Sequence, residues 1–578
     1  MAARTGTAHV VTTVRKYKDR VYRTHLLRRS YREGGSVKNE TLGNLSHLPD
    51  DLVDIIRRAL QGETFVALGQ AFEVLRSRAH GHVQAVTTAM QRLGFASLIA
   101  SKPCRERDLV LTMVASRILA PHTKLATTRW WHTTTLAEEF GVAQANENDL
   151  YAAMDWLLQR QNTIQKKLSA RHLREGGLVL YDLSSSYFEG TTCPLAKRGY
   201  SRDGRHGTLQ VNYGLLTDAR GCPVAVSVHE GNTSDSLTFM PEVRRLRQDF
   251  GIEQMVMVGD RGMISQKAID EMRGFEGIGW ITALKSASIR VLIEQGQLQF
   301  GLFDERNLLE LSSPEYPGER LVACRNPELA KLRAHKREEL LAATEINLAK
   351  IKAKVASAKL AGQDKIGVQV GKIVNQYKVA KHFVLDIGEH AFAFQRKYES
   401  IAAEAALDGI YIIRTSVSAA QMDASDCARN YKSLANVERA FRSIKTIDLK
   451  VRPIHHRLAD RVRAHIFLCM LAYYVEWHMR ETWRDLMFAD PDQEAKATRD
   501  PVAPAKRSNV ALTKIATHTL PDGTAAHSFS TLLNELATIV RNTCRTPHAG
   551  ADATTFDVIT SANPKQKRAL QLIQQINV

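Results

Sequence analysis

The sequence predicts an α/β protein in which a mixed sheet is flanked by helices, with an N-terminal hairpin and helical region and an inserted helix and β subdomain. Two observations support this fold class. The hydrophobic spacing changes from alternation over residues 1–50 to helical periodicity over 51–174, and then to short apolar β runs. Over 175–285, the order strand, strand, strand, helix, strand, helix, strand is typical of one sheet covered by helices.

The two N-terminal segments differ in charge and in periodicity. Residues 1–50 hold ten lysines and arginines against four acids, a net of +6. We interpret them as a basic β-hairpin region whose charges protect its strand edges. Residues 51–174 place apolar side chains at helical spacing in several short segments, which predicts a helical domain.

The rest of the chain is predicted to interrupt and then complete the same sheet. Residues 286–407 are interpreted as an insertion, with one long helix over 326–360 followed by β-like runs that begin at 365–374. Residues 408–484 return to helical spacing and form the second part of the core. Residues 485–578 are interpreted as a linker with terminal helices.

The chain is strongly basic, with a net charge of +18 and a pI near 9.5. This charge favours a polyanionic partner, and nucleic acid is the first candidate. The basic face of the long helix could follow a phosphate backbone or could be a solvated face; its lysines are Lys350, Lys352, Lys354 and Lys359.

Cysteine usage and hydropathy point to the cytoplasm. The seven cysteines never form a C-x-x-C pair, so we expect reduced thiols rather than disulfides or a zinc ribbon. The longest apolar stretch, 466–475, is about half of the ~20 residues that a membrane span needs. We therefore expect a soluble protein that is not exported and has no membrane contact.

Two aspartates occupy positions that folding alone would not choose. Asp182 lies inside the apolar run 178–187, and Asp260 follows the apolar run 254–258. If these runs are neighbouring strands, ~4.8 Å apart, both carboxylates converge, and Mg²⁺ would offset their repulsion. The alternatives are a carboxylate satisfied by backbone or nearby serines for Asp182, and a turn or helix cap for Asp260.

A third acid lies on a predicted helix. Tyr431, Glu438 and Lys445 are spaced by seven residues, which places them within about 20° of one another on a helix. Glu438 stands at the border between an apolar face and a basic face that carries Arg439 and Arg442. An ordinary amphipathic helix with surface charges remains the alternative.

Several ordered blocks together resemble a known family. They are YDLSSSYFEG, RGYSRDGRHGTLQVNYGLL, GCPVAVSVHEGNTSD, MVMVGDRGM, Y-x2-L-x3-E-x6-K and RPIHHRLADRVRAHIFLCMLAYY, in order from about 178 to 480. The chain resembles DDE transposases of bacterial insertion sequences, in the group marked by a Y-R-E-K signature. Blocks in this order are far more specific than any single motif.

The resemblance implies a ribonuclease-H-like catalytic core with Asp182, Asp260 and Glu438 as its three catalytic acids. In this family such acids hold two Mg²⁺ ions, with Mn²⁺ as an alternative ion, and activate the oxygen nucleophile for DNA cleavage. The wide gap before Glu438 is similar to that of members with a mostly β insertion.

The resemblance also implies DNA contacts on the same helix. Tyr431 and Lys445 fall on the signature tyrosine and lysine, which lie near the DNA end. Leu434 stands where the signature has arginine, so either Arg439 or Arg442 replaces that phosphate contact or the contact is missing.

The implied function is transposition in the bacterial cytoplasm, in association with the nucleoid. A homodimer would bind double-stranded DNA at the terminal inverted repeats of the element, cut there and join the ends to target DNA. A structure-selective nuclease of the same fold and a catalytically dead DNA-binding regulator are the alternatives. The long N-terminal region favours end recognition over simple hydrolysis, and the presence of all three acids speaks against the dead regulator.

Two further signals are weaker. Trp130 and Trp131 could stack on an unpaired base, but core packing is the favoured interpretation. The histidines of the last block and the helix that follows it do not show zinc-site spacing; they are His455, His456, His465 and His478.

Overall fold

The computed structural model describes residues 6–18, 20–65, 72–545 and 555–577. The chain divides into two compact units. Unit 1 comprises residues 1–77 and 541–560, and unit 2 comprises 78–540 and 561–578. Unit 1 thus joins segments from both ends of the chain, an association that the hydrophobic pattern did not indicate.

The secondary structure elements are numbered along the chain. The strands are β1 Thr7–Tyr17, β2 Arg20–Glu33, β3 Ser36–Asn44, β4 Glu73–Ala79, β5 Gly177–Tyr187, β6 Lys197–Arg198, β7 Leu209–Asp218, β8 Pro223–Glu230, β9 Met255–Val258, β10 Ile278–Ala283, β11 Leu308–Leu311, β12 Arg320–Arg325, β13 Phe383–Ile387, β14 Phe392–Arg396, β15 Ile410–Thr415, β16 Val540–Arg545 and β17 Thr555–Ile559.

The α-helices follow the same scheme. They are α1 Asp50–Leu60, α2 Gly81–Arg92, α3 Phe95–Ile99, α4 Arg105–Leu119, α5 Lys124–Trp130, α6 Leu136–Glu139, α7 Glu147–Leu158, α8 Gln161–His172, α9 Asp235–Gln248, α10 Gln266–Met272, α11 Ser286–Glu294, α12 Pro327–Ala356, α13 Gln363–Tyr377, α14 Tyr398–Ala405, α15 Ala424–Lys432, α16 Leu434–Arg442, α17 Ala459–Thr482, α18 Glu494–Thr498, α19 Asn509–Thr517, α20 Phe529–Ala537 and α21 Pro564–Ile573.

Unit 1 contains an antiparallel sheet of order β1-β2-β3, where the sequence predicted a two-stranded hairpin. Glu33 pairs with Ser36, so Gly34 and Gly35 form a two-residue turn in which both have positive φ, as such turns require. Strand β3 was missed because it is almost entirely polar. A second sheet, of order β17-β16-β4, brings in strands from the C-terminal part of the chain.

The helical region of unit 2 packs on a long central helix. Helix α17 contacts α4, α7 and strand β8, and it is buried from Val462 to Met479 almost without interruption. Trp131 is fully buried and Trp130 partly buried in the same core, which is the packing role that the sequence favoured. None of the helices in the described ranges could cross a membrane.

The central sheet has nine strands in the order β11-β12-β15-β10-β9-β5-β7-β6, with β8 also paired to β7. Strand β5 is antiparallel to β7 and parallel to β9, and β9 is parallel to β10. Without the short β6, the strands β8-β7-β5-β9-β10 have the chain order 3-2-1-4-5. This mixed sheet flanked by helices confirms the ribonuclease-H-like fold class.

The segment between β10 and β15 differs from the predicted insertion in two ways. Strands β11 and β12 extend the central sheet beside β15 and do not form a separate subdomain. Residues 365–374, predicted as a β run, lie in helix α13, because Ile366, Val370 and Val374 recur every four residues and face α12. Their β-branched side chains had favoured a strand.

Candidate active site

Asp182 and Asp260 lie side by side in the interior of the central sheet, where the parallel pairing of β5 and β9 ends. Strands β5 and β9 are parallel, and Leu180 is paired with Val258. Each aspartate comes two residues after its member of that pair. Since neighbouring strands are ~4.8 Å apart, the two backbones bring both carboxylates to the same position along the sheet.

Asp182 is half-buried, and burial raises its pKa to about 7. The backbone N–H of Leu183 donates to its Oδ1 at 2.8 Å and lowers the pKa, as does the charge of Arg202, whereas the charges of Asp260 and Glu438 raise it further. The three acids therefore share one electrostatic neighbourhood.

Asp260 is exposed and caps the turn that follows β9. The backbone N–H groups of Gly262 and Met263 both donate to its Oδ1 at 2.8 Å. A Cβ at Gly262 would come 3.3 Å from that oxygen. One carboxylate oxygen of Asp260 thus has the turn role that the sequence offered as an alternative. The same turn holds the side chain at the C-terminal end of β9.

Glu438 projects from α16, which packs against β5. Its neighbours Val437, Ala440 and Phe441 are buried, while Glu438 itself is exposed. The ring of Phe441 lies 5.7 Å from that of Tyr213 on β7. Packing of this apolar face on the sheet brings the carboxylate near Asp182, whose pKa its charge raises.

The turn between β7 and β8 contacts α16 and helps to position it. Asn436 Nδ2 donates to the carbonyl oxygen of Ala219 at 3.2 Å. Gly221 has φ +90°, and a Cβ there would lie 2.7 Å from the Asn436 Cβ. The close approach of turn and helix therefore requires glycine at this position.

The predicted single helix carrying Tyr431, Glu438 and Lys445 is interrupted. Helix α15 ends at Lys432, α16 begins at Leu434, and residues 443–447 form a π-helical turn. The π turn adds a residue to the turn and so changes the direction of the side chains after it. The polar stripe inferred from regular spacing is not continuous.

Tyr431 remains beside the acids. Burial raises the pKa of its hydroxyl to about 12, and the charges of Asp260 and Glu438 act in the same direction, while Arg261 opposes them. The hydroxyl therefore keeps its proton at neutral pH and is available as a hydrogen-bond donor.

Lys445 turns inward rather than toward solvent. Its Nζ lies 2.6 Å from Asp203 Oδ1 and donates to Ser184 Oγ at 3.1 Å. Burial lowers the pKa of Lys445, and the charge of Asp203 opposes that shift. Arg452 forms a second ion pair with the same carboxylate.

The loop before β7 supplies charged residues that the sequence analysis did not single out. The charge of Arg202 lowers the pKa of Asp182. The Arg202 guanidinium donates to Asp235 Oδ1 at 2.5 Å. The Asp203 side chain is 1% exposed. The signal was present in the block RGYSRDGRHG, but charged residues among glycines are also typical of an ordinary loop.

A basic cleft of about 330 Å³ opens beside Lys445. The Arg205 guanidinium lies 4.1 Å from the centroid of the Tyr187 ring, so the cleft combines cations with an aromatic face. Its lining residues are Tyr187, Asp203, Arg205, Lys445, Thr446, Lys450 and Arg452. Four cations against one acid make it attractive to a phosphate.

The three acids offer ligand atoms that suit hard divalent cations. Their donors are all carboxylate oxygens, which Mg²⁺ and related ions take. Over the ranges that the structure describes, only His172, Cys222 and His478 form a trio with ligand atoms all within 4.8 Å of one another. The carboxylate oxygens of Asp182, Asp260 and Glu438 do not all lie within that distance of one another.

Comparisons with known proteins identify the family. Residues 177–475 match the transposase DDE domain, and residues 10–68 match the N-terminal domain of the IS1634 transposase family. No curated protein is detectably similar to the chain. A solved piggyBac transposase synaptic complex with hairpin DNA aligns over 78% of this chain and 77% of that chain, at 8% identity and a TM-score of 0.33.

The DDE-domain match spans more than half of the chain and includes all three acids. It also spans the nine-stranded sheet and most of the central helix α17. The chain therefore belongs to the DDE transposases of insertion sequences, which act on DNA.

Proposed function

We propose that the chain binds the terminal inverted repeats of its own insertion sequence, cleaves the DNA at those ends and joins them to target DNA. Asp182, Asp260 and Glu438 are its catalytic acids in this proposal. The observation that carries it is their convergence: two aspartates stand at matching positions on parallel strands, and Asp182 is electrostatically coupled both to Asp260 and to Glu438 on the adjoining helix.

DDE transposase domains generally use divalent metal ions, and we assign this chain Mg²⁺, with Mn²⁺ as an alternative. Two such ions, when bound, supply an activated oxygen nucleophile and a stabilised leaving oxygen. Asp182 is coupled to both other acids, which suits it to be shared between two ions. The N–H groups that fix Asp260 leave its second oxygen for a ligand.

Residues around the acids would hold the DNA backbone. The protonated hydroxyl of Tyr431 donates to a phosphate oxygen in this proposal. Leu434, at the position of the signature arginine, is partly buried against the core, so it offers no phosphate contact. Arg439 and Arg442 are both exposed on the same helix and take over that contact, while Lys445 contributes from the wall of the basic cleft.

A homodimer on DNA would present one catalytic site to each end of the element. Each chain holds one set of three acids, whereas an insertion sequence has two ends to process. The proposed oligomer follows from this stoichiometry.

The test is cleavage and joining of a DNA fragment that carries the element end. Asp182→Asn, Asp260→Asn and Glu438→Gln should each abolish metal-dependent cleavage, because each removes an anionic metal ligand, while leaving end binding nearly intact. Asp270→Asn, which changes an exposed acid on α10, is the matched control and should cleave normally.

The assay also separates the competing functions. Wild-type cleavage by Glu438→Gln would contradict the assignment of the third acid. Cleavage without joining would favour a structure-selective nuclease, and end binding without cleavage by the wild-type protein would favour a DNA-binding regulator.

A further inference from the structure

Three side chains with metal-ligand chemistry meet away from the three acids. His172 is the last residue of α8, Cys222 lies in the β7–β8 turn, and His478 is on α17. One ligand atom from each lies within 4.8 Å of the other two. Cys222 and His478 are buried, and His172 is half-buried.

The spacing of these atoms is close to that of a tetrahedral zinc site. Bonds of about 2.0 Å to nitrogen and 2.3 Å to sulfur hold ligand atoms roughly 3.5 Å apart. Cys222 Sγ lies 3.8 Å from His478 Nε2. A contraction of a few tenths of an ångström would bring this edge to the tetrahedral length, and the other two edges are no longer than 4.8 Å.

Hydrogen bonds hold two of the three groups, His172 and Cys222, in place. The hydroxyl of Tyr474 lies 3.0 Å from His172 Nε2, a contact of the kind that orients a ligating imidazole. The N–H of Cys222 donates to Asp218 Oδ1 at 2.9 Å. The charge of the neighbouring Arg220 is offset by its ion pair with Asp218 at 2.8 Å.

The cluster joins elements that are distant in sequence. It connects the end of the helical region to the long helix α17 and to the β7–β8 turn. That turn seats α16 through Ala219 and Asn436, and α16 carries Glu438. A bound ion would thus fix the turn on which the third acid depends.

We propose that His172, Cys222 and His478 form a structural site for a zinc-class transition metal, separate from the oxygen-lined catalytic site. Thiolate and imidazole donors select zinc over Mg²⁺. A water completes the tetrahedron as the fourth ligand. The site links α8, the β7–β8 turn and α17. It thereby stabilises the turn that contacts α16, the helix that carries Glu438.

The experiment measures metal content in the full-length protein, purified without a metal-affinity tag. We expect about one zinc ion per chain, a thiolate-to-cobalt charge-transfer band on replacement with Co²⁺, and a Tm that falls on chelation and recovers when Zn²⁺ is added. Cys222→Ser should lose the zinc, the cobalt band and the Tm response to Zn²⁺.

Matched variants make the result specific. Cys469→Ser changes another fully buried cysteine and should keep the metal, as should Asp260→Asn in the catalytic site. If Cys222→Ser does not fold, His172→Asn at the half-buried end of α8 replaces it. A wild-type protein with neither zinc nor a cobalt band, or equal metal loss in Cys469→Ser, would overturn the proposal.

Discussion

At the scale of single residues, Lys445 shows how local geometry changes a role inferred from spacing. Regular helical spacing places it on the same stripe as Glu438, on the side that would meet DNA. The π-helical turn at 443–447 directs its ammonium group to Asp203 and Ser184 instead. Lys445 mainly offsets the charge of the buried Asp203 carboxylate. It also lines one wall of the basic cleft.

This ion pair makes a prediction about stability. Asp203→Asn leaves both Lys445 and Arg452 without their carboxylate, whereas Lys445→Ala leaves Asp203 paired with Arg452. Because breaking a buried pair costs about 3–5 kcal/mol, Asp203→Asn should lower the free energy of unfolding by more than Lys445→Ala does. Urea denaturation measures both.

The control for that pair is Lys450→Ala, an exposed cation that lines the same cleft. It should change the free energy of unfolding by less than about 0.5 kcal/mol. Equal losses in Asp203→Asn and Lys445→Ala would show that Arg452 does not support the carboxylate on its own.

At the scale of elements, the catalytic geometry depends on a turn as much as on strands. The parallel register of β5 and β9 aligns the two aspartates, but the β7–β8 turn determines where α16 lies. Gly221 permits that contact because its φ is +90° and because no Cβ separates it from Asn436.

Gly221→Ala should therefore impair both stability and cleavage. A left-handed conformation costs a non-glycine residue roughly 1–2 kcal/mol. The added Cβ would also lie 2.7 Å from the Asn436 Cβ, so α16 would have to move away from the turn. The matched control is Gly251→Ala, where φ is +77° and nothing lies within 4 Å of the added Cβ.

Thermal unfolding and end cleavage, measured on both variants, separate the two effects. The control should lose only the cost of backbone strain and should cleave normally. The prediction would be contradicted if Gly221→Ala were destabilised no more than the control and cleaved at the wild-type rate. Such a result would show that the position of α16 does not depend on close contact with Gly221.

Elements with one dominant signal could be predicted from the sequence. The core strands are apolar runs, so their order and the positions of Asp182 and Asp260 follow from the pattern. Strand β3 was missed because it is polar, and α13 was misassigned because its β-branched residues resemble a strand. The breaks in the Glu438 helix depend on packing against the sheet, which a regular periodicity does not contain.

At the scale of the whole molecule, recognition and chemistry are predicted to lie in different units. Unit 1 contains the strongly basic strands β1 and β2, and unit 2 contains the acids. A second basic surface lies in unit 2, on α12, at Lys350, Lys352 and Lys354, which are all exposed. The sequence alone left open whether this helix face follows a phosphate backbone or is solvated.

Unit 1, rather than α12, should carry the phosphate contacts made outside the active site, because α12 also bears acids such as Glu338 and Glu345 that pair with Arg396. Replacing the exposed residues Arg15, Lys16 and Arg20 with alanine should weaken end binding and reduce the salt slope of the binding constant by up to about 0.9 per lost contact.

The matched control replaces Lys350, Lys352 and Lys354 with alanine, which removes the same charge from α12. Binding titrations over a series of salt concentrations should then give the wild-type slope, because these lysines are predicted to face solvent rather than phosphate. Both triple variants change only exposed side chains, so their Tm should match the wild-type value. The reverse result, a reduced slope in the α12 variant and an unchanged slope in the strand variant, would assign the phosphate contacts outside the active site to α12.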